Sequence, residues 1–510
     1  MGMKLIIILS LFSSYSMVAN AISVEREQEL NEEFRSYCEQ AAKYVVKNRF
    51  SVTCDSDYHH YNSRAAANHY DGKPAHDIRI ANYNMLHPGS NKNSYKDLAL
   101  IAQIINEYDL VSAQELIPRL GNDMRHNNDL VEMIENTKNY DLEKLYKVPG
   151  YLLILNELRK LDPSWALITS PRGEASSPSS VHEMLGFFYR ASIVRPIETE
   201  HCVEMASKNS REEVNTNFAC YPLFRAPFFR VDAADAFSRK PFIASFESGN
   251  YDLTLMNAHV IFTSPKDEET MSWISNLAFG IDDYSEVGTG VTKETYARFA
   301  EVRLSLEMLE LLSKNYKEQD LIFAADMNLE ARIAYWDQLL NDFGNFSLIG
   351  EMATSLTNYR YSNRGTVETF GFSSNYDHFI YNKNANKNCE TDTDGKIKVT
   401  RQSYFEGHVD EWMKDRYLVR EETNDEEEPY RISAKGQKIM ESRLEEHKQF
   451  LEDSLIIVEG EIVAQFEDVE RELDIFKRRV FDEQLGDFTY YKLYRELISD
   501  HFPIGITCKN

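Results

Sequence analysis

The six cysteines of this 510-residue chain include no C-x-x-C pair, which argues against a cysteine zinc cluster or a thioredoxin-like redox site. After the N-terminal stretch, no segment approaches the roughly 18 apolar residues that a membrane-spanning helix needs. Basic charge is also scarce. There are 56 Lys+Arg against 82 Asp+Glu, a formal net charge of −26. This argues against holding nucleic acid by bulk electrostatic attraction. It does not exclude a nuclease, because divalent cations in a site can supply positive charge locally. Trp165, Trp273, Trp336 and Trp412 are scattered singly, so there is no aromatic hairpin of the kind that seats a protein on a bilayer. There is no tandem repeat.

What is present divides the chain into parts. Met1–Lys4 is a short basic lead, Leu5–Val18 is largely apolar, and Ala19-Asn20-Ala21 resembles a small-residue cleavage site. This reads as a secretory signal peptide over 1–21, cleaved after Ala21, with export to the periplasm or the medium and no stable membrane association. Export favours disulfides, and pairing neighbours gives Cys38 with Cys54, Cys202 with Cys220, and Cys389 with Cys508. Residues 22–76 read as a helical and irregular extension. From Asp77 to about Asn382, and again over 491–510, short apolar runs alternate with helices and loops. The intervening block, 383–490, is acidic, about −11 by residue count. In it Ile462, Phe466, Val469, Leu473, Phe476 and Val480 recur at spacings of four and three, which predicts one face of a helix. Met440, Leu444, Leu451, Leu455 and Val458 predict another helix before it, with Gly460 as the break. The block reads as a helical insertion.

The chemistry-bearing residues fall at the ends of strand-like runs. "IRIANYNML" reaches Asn84, "YDLVSAQEL" reaches Gln114 and Glu115, "YDLTLMNAHV" reaches Asn257 and His259, and "DLIFAADMN" reaches Asp326 and Asn328. In "NYDHFIY" and "SDHFPIGI" the polar residues Asp377, Asp500 and His501 come first instead. If the last two strands run opposite to the first four, all six clusters share one edge of a mixed sheet system. So many carboxylates repel one another unless cations neutralise them, and hard oxygen donors suit Mg²⁺, Mn²⁺ or Ca²⁺.

The order N…QE…N-x-H…D-x-N…YDH…SDH resembles the endonuclease/exonuclease/phosphatase superfamily, in particular its deoxyribonuclease I type. The resemblance covers about 77–382 and 495–508 and implies an α/β fold, a four-layer sandwich of two packed mixed β-sheets flanked by helices. It implies that Glu115 and Asp500 ligate a divalent metal, Mg²⁺ foremost, with Asn84 beside them and Asp326 close by. It implies His259 and His501 as an acid/base pair, oriented by Glu183 (in "VHEMLGFFYR") and Asp377. It implies Asn328, Asn84 and Arg225 (in "FRAPFFRV") as groups that contact the substrate phosphate. The family's usual G-D-F-N is Ala325-Asp326-Met327-Asn328 here. Side-chain alternation turns His378 away from the site, and His182, His201, His69, His59 and His60 read as surface histidines.

The resulting expectation is a secreted, metal-dependent phosphodiesterase acting on nucleic acid, DNA before RNA, with little sequence specificity. The alternatives are a phosphodiesterase of the same fold acting on lipid headgroups, and a non-catalytic binding member.

Overall fold

The computed structural model describes residues 60–61, 73–88, 96–116, 150–170, 183–208, 218–286, 292–316, 320–343, 347–348, 352–356, 373–401, 408–420, 430–452, 455–458, 461–464, 466–481 and 487–510. The expected cleavage site, nearly all of the N-terminal extension, and Cys38 and Cys54 lie outside them.

Two large sheets form the body. The first contains β1 (His60–Tyr61), β2 (Ile78–Asn84), β3 (Leu110–Leu116), β4 (Trp165–Thr169), β5 (Met184–Arg190), β13 (Thr400–Arg401) and β18 (Ile504–Cys508), in the order β1-β4-β5-β3-β2-β18-β13. The second contains β6 (Arg195–Pro196), β7 (Ala219–Cys220), β8 (Phe242–Ser248), β9 (Tyr251–His259), β10 (Leu321–Asp326), β11 (Ser347–Leu348) and β12 (Asp377–Tyr381). Its order is β11-β12-β10-β9-β8-β6, with β7 paired to β8.

Alternation along the strands sorts side chains into layers. Ile78, Ile80 and Leu110 from the first sheet meet Phe246, Leu255, Ile322 and Phe379 from the second in one inter-sheet core. Phe187 is central there, with its ring centroid 5.8 Å from Phe242 and 5.6 Å from Phe246. Each such buried side chain contributes about 1.5–3 kcal/mol. On the outer face of the first sheet pack helices Leu98–Ile105, Gly150–Leu161 and Asp487–Leu497. On the outer face of the second pack helices Glu268–Phe279 and Lys293–Asn315. Their starts are set locally. Asp97, Asp267 and Thr292 accept the orphan amide protons of the three helices that follow them. The fold is therefore the expected four-layer α/β sandwich.

Two disulfides, Cys202–Cys220 and Cys389–Cys508, follow the expected pairing. Among the described residues no helix is long and apolar enough to cross a membrane.

The acidic block departs from expectation. It holds helices His408–Tyr417, Ala434–Glu452 and Val469–Phe481, but also two antiparallel pairs, β14 (Leu418–Arg420) with β15 (Tyr430–Ile432) and β16 (Leu455–Val458) with β17 (Glu461–Ala464). Leu455, Val458 and Ile462 are thus strand residues rather than helical ones. The β-branched runs on either side of Gly460 outweigh the three–four spacing. Residues 383–401, read from sequence as part of the insertion, pack with the sandwich. β13 pairs with β18, and Ala385, Cys389 and Ile397 enter the inter-sheet core. His201 is buried, not a surface residue. It packs edge-on against Tyr316 at 4.9 Å, and burial pushes its pKa down to about 4. His378 is buried too and donates from Nε2 to the Leu329 carbonyl at 2.6 Å.

Candidate functional site

Strand polarity gathers the polar residues at one rim. In the second sheet β9 and β10 are parallel and β12 is antiparallel to β10, so His259, Asp326 and Asp377 lie in a single row. In the first sheet β2 and β3 are parallel and β18 is antiparallel to β2. The segment leading into β18 therefore lies beside the exit of β2, where Ser499 Oγ donates to the Asn84 carbonyl at 2.7 Å.

Two imidazole–carboxylate pairs face each other across this rim. His259 Nδ1 lies 2.7 Å from Glu183 Oε2, and His501 Nδ1 lies 2.6 Å from Asp377 Oδ2. Each carboxylate fixes its ring with Nδ1 as donor, which directs Nε2 into the site. Both Nε2 atoms approach the same oxygen. Asp326 Oδ2 is 3.8 Å from His259 Nε2 and 3.6 Å from His501 Nε2. Asp326 is buried, so its charge acts on both rings with little screening.

Asn84 links the sheets. Its Nδ2 donates to Glu115 Oε1 and to Asp326 Oδ2, both at 2.9 Å, while its Oδ1 accepts from Leu86 N at 3.0 Å. Asn84 is thus a bridge between two carboxylates, with its oxygen already engaged by the main chain. Asn328 is similarly tied. Its Nδ2 donates to the Val260 carbonyl at 2.9 Å and its N–H to Asp326 Oδ1 at 3.0 Å. Asp500 Oδ1 is buried without a hydrogen-bond partner and lies 4.0 Å from His501 Nε2.

Two residues that the sequence reading missed complete the cluster. His87 Nε2 lies 2.9 Å from Glu115 Oε2 and 3.6 Å from Glu183 Oε1. Arg239 grips Glu183 with Nη2 at 2.9 Å from Oε1 and Nε at 2.7 Å from Oε2. The guanidinium bound to Glu183 is Arg239's, and Arg298 Nη1 donates to the Asn328 carbonyl at 2.6 Å, whereas Arg225 is exposed. Behind it, Glu301 accepts from the main-chain N–H of Ser238 at 2.8 Å and of Ile261 at 3.2 Å, pinning the segments next to Arg239 and His259.

The backbone marks the same place. Among the described residues, the non-glycine residues with left-handed φ are Leu86 (46°), His87 (49°), Glu115 (58°) and Asn328 (51°). All four lie at this rim, and Glu115 sits where the β3–β5 register shifts. Such conformations are sparsely populated and cluster at functional sites.

Charge coupling follows from the geometry. Burial alone would raise the Glu115 carboxyl, but His87 and then His259 outweigh it and hold it at about 2. Burial would lower His87, yet Glu115 and Glu183 lift it to about 9. For His259 burial again pulls down, and Glu183 wins, so its pKa is raised. His501 is raised further, well above its ordinary value, by Asp377 and Asp326 against burial. Among the described residues, two groups place ligand atoms within 4.8 Å of one another and could hold a metal ion, His87 with Glu115 and Glu183, and Asp326 with Asp377 and His501; carboxylate oxygens there suit a hard divalent cation.

No family model and no curated protein match the chain. The solved structures it resembles include an endonuclease/exonuclease/phosphatase family protein from Bacteroides thetaiotaomicron, at 11% identity and TM-score 0.35, over 84% of this chain and 97% of that one. A beta toxin variant from Staphylococcus aureus with bound magnesium ions matches at 12% identity and TM-score 0.33, over 85% of this chain and 100% of that one.

Proposed function

We propose that the chain is a divalent-metal-dependent phosphoesterase, and more narrowly an exported nuclease that hydrolyses phosphodiester bonds in DNA with little sequence specificity. The observation that carries this is the convergence of two carboxylate-held imidazoles, from opposite sheets, on the single oxygen Asp326 Oδ2.

Hydrolysis of a phosphodiester needs a deprotonated water in line, charge stabilisation and a protonated leaving oxygen. Glu183 and Asp377 hold the two rings so that each Nε2 points at the reacting phosphate. His259 accepts the proton of the attacking water, and His501 delivers one to the leaving oxygen. Asn84 keeps Glu115 and Asp326 apart at a fixed spacing. Glu115, Asp326 and Asp500 would hold the metal, which when bound supplies Lewis-acid stabilisation of phosphate charge. Arg239 neutralises Glu183 from behind, and Asn328 fixes the turn after β10.

Low specificity is the expected consequence of contacts directed at phosphates. The two disulfides support folding in an oxidising compartment, in line with export. Residues 408–481 are read as an insertion in a catalytic body formed by the sandwich.

A plasmid-nicking assay with Mg²⁺ and with EDTA, run beside His259→Ala, tests the reading. Nicking that needs Mg²⁺ and vanishes in the variant is expected. Nicking that persists in EDTA, or no nicking alongside cleavage of sphingomyelin or a phosphoinositide, would overturn the nuclease assignment.

A further inference from the structure

Lys96 is one of the largest fully buried side chains of the described structure. Its ammonium group donates to the Met85 carbonyl at 3.2 Å, the Leu86 carbonyl at 2.5 Å and the Ile498 carbonyl at 2.9 Å. The first two belong to the turn between Asn84 and His87. The third lies just before the Asp500-His501 pair. One cation thus ties the turn after Asn84 to a second site-bearing segment that lies 402 residues beyond Lys96 in sequence. Burying an ammonium group is costly unless its hydrogen bonds are made, and here they are made to main chain whose position matters to the site.

The next residue faces the acidic block. The Asp97 side chain is buried; it caps helix Leu98–Ile105 through Leu100 N at 3.2 Å, and its own N–H donates to the Leu497 carbonyl at 2.8 Å. Its carboxylate accepts a hydrogen bond from Tyr417 and faces Arg416 Nε at 3.2 Å and Arg443 Nη2 at 3.3 Å. Arg443 also donates to the Lys96 carbonyl at 3.0 Å. Helices His408–Tyr417 and Ala434–Glu452 therefore hold the same dipeptide whose lysine holds the site.

We propose that helices His408–Tyr417 and Ala434–Glu452 brace the active site. Arg416, Tyr417 and Arg443 fix the Lys96–Asp97 step, and Lys96 fixes the exits that present Asn84 and His87 on one side and Asp500 and His501 on the other. Lys96 and Arg443 are positioning residues. The block is neither decoration nor a substrate-contacting element, and a chain lacking it keeps the catalytic groups but loses their register.

Hydrogen exchange on the full chain tests this without reference to any substrate. Only the turnover readout rests on the phosphoesterase reading. In Arg443→Ala, peptides covering 84–88 and 497–502 should exchange about tenfold faster, as loss of one charged hydrogen bond implies. Peptides covering 253–259 and 321–326 should be unchanged. With bis(p-nitrophenyl) phosphate and Mg²⁺, kcat should fall about tenfold while KM stays within about twofold, the mark of lost transition-state positioning. Arg443→Lys, which keeps the charge facing Asp97, should restore most of both. Lys96→Met should reproduce the exchange pattern, and where it fails to fold the Arg443 pair decides. Faster exchange confined to 408–452, or spread evenly over the reference strands, overturns the proposal. A wild type without turnover that still shows the segment-specific pattern counts against the phosphoesterase reading and for the brace.

Discussion

The two histidine pairs look alike and are wired in opposite senses. His259 ends β9 in the second sheet and takes its carboxylate, Glu183, from the residue before β5 in the first. His501 leads into β18 in the first sheet and takes its carboxylate, Asp377, from the start of β12 in the second. Each pair therefore staples the sheets, and sliding one sheet over the other breaks both. The difference lies behind the carboxylates. Glu183 is also gripped by the Arg239 cation. Among the described residues, Asp377 accepts a neutral amide there, Asn82 Nδ2 at 3.3 Å, itself the end of a buried chain through Gln114 to Asn257. A cation behind Glu183 weakens its pull on the His259 proton, and among the described residues Asp377 has no such rival. Burial lowers both rings; Glu183 lifts His259 against Arg239, while Asp377, Asp326 and Asp500 all lift His501. We read His501 as the proton donor and His259 as the acceptor on that ground.

The comparison can be broken most sharply by removing a ring. His259→Ala or His501→Ala should each cost about 10²–10⁴-fold in kcat, the usual worth of a positioned acid or base. Removing one orienting charge should cost less and act in opposite directions on the pH profile. Asp377→Asn should bring the alkaline limb of kcat down in pH, because His501 gives up its proton sooner. Glu183→Gln should carry the acidic limb lower, because His259 becomes harder to protonate. Each limb should move by about one pH unit or more. Both variants moving the same limb would end the donor–acceptor assignment. Arg239→Ala sharpens the contrast with a smaller effect. Without the guanidinium the His259 pKa rises, so the acidic limb moves up and activity near neutral pH falls a few-fold.

The smallest effect concerns His87. Its folded pKa of about 9 lies above the ordinary 6.5, so its contribution to stability is complete below about 6.5. That contribution is lost as pH rises through about 9. In metal-free protein, His87→Ala should therefore flatten the decline of Tm across that window. The difference should be on the order of 1 kcal/mol, allowing for the ring's partial exposure.

Much of the site was legible because strands report direction. Polar residues at the ends of four apolar runs and at the beginnings of two require opposed polarity to meet, and the ladders show that polarity. Asn84, Glu115, His259, Asp326, Asn328, Asp377, Asp500 and His501 could be collected in this way, whereas Glu183 came only from the family resemblance. His87 could not. It lies three residues past Asn84, where two consecutive left-handed residues reverse the chain and alternation stops predicting direction. Arg239 comes from the irregular approach to β8, which carries no periodic signal, while the more conspicuous Arg225 is exposed. In the acidic block, "LIIV" and "EIVA" flank a Glu-Gly step and are β-branched, which is a hairpin signal. Their neighbours' three–four spacing concealed it. The clamp at Lys96 was invisible because a lysine ahead of an apolar run reads as surface, and only the fold shows three carbonyls converging on it.

A double-mutant cycle on His259 and His501 tests the central claim most directly, with kcat/KM for Mg²⁺-dependent phosphodiester cleavage as the readout. If both rings act on one phosphate beside Asp326, the double alanine variant should lose little more than the worse single variant. Losses that multiply, or either single variant retaining wild-type cleavage, would contradict it.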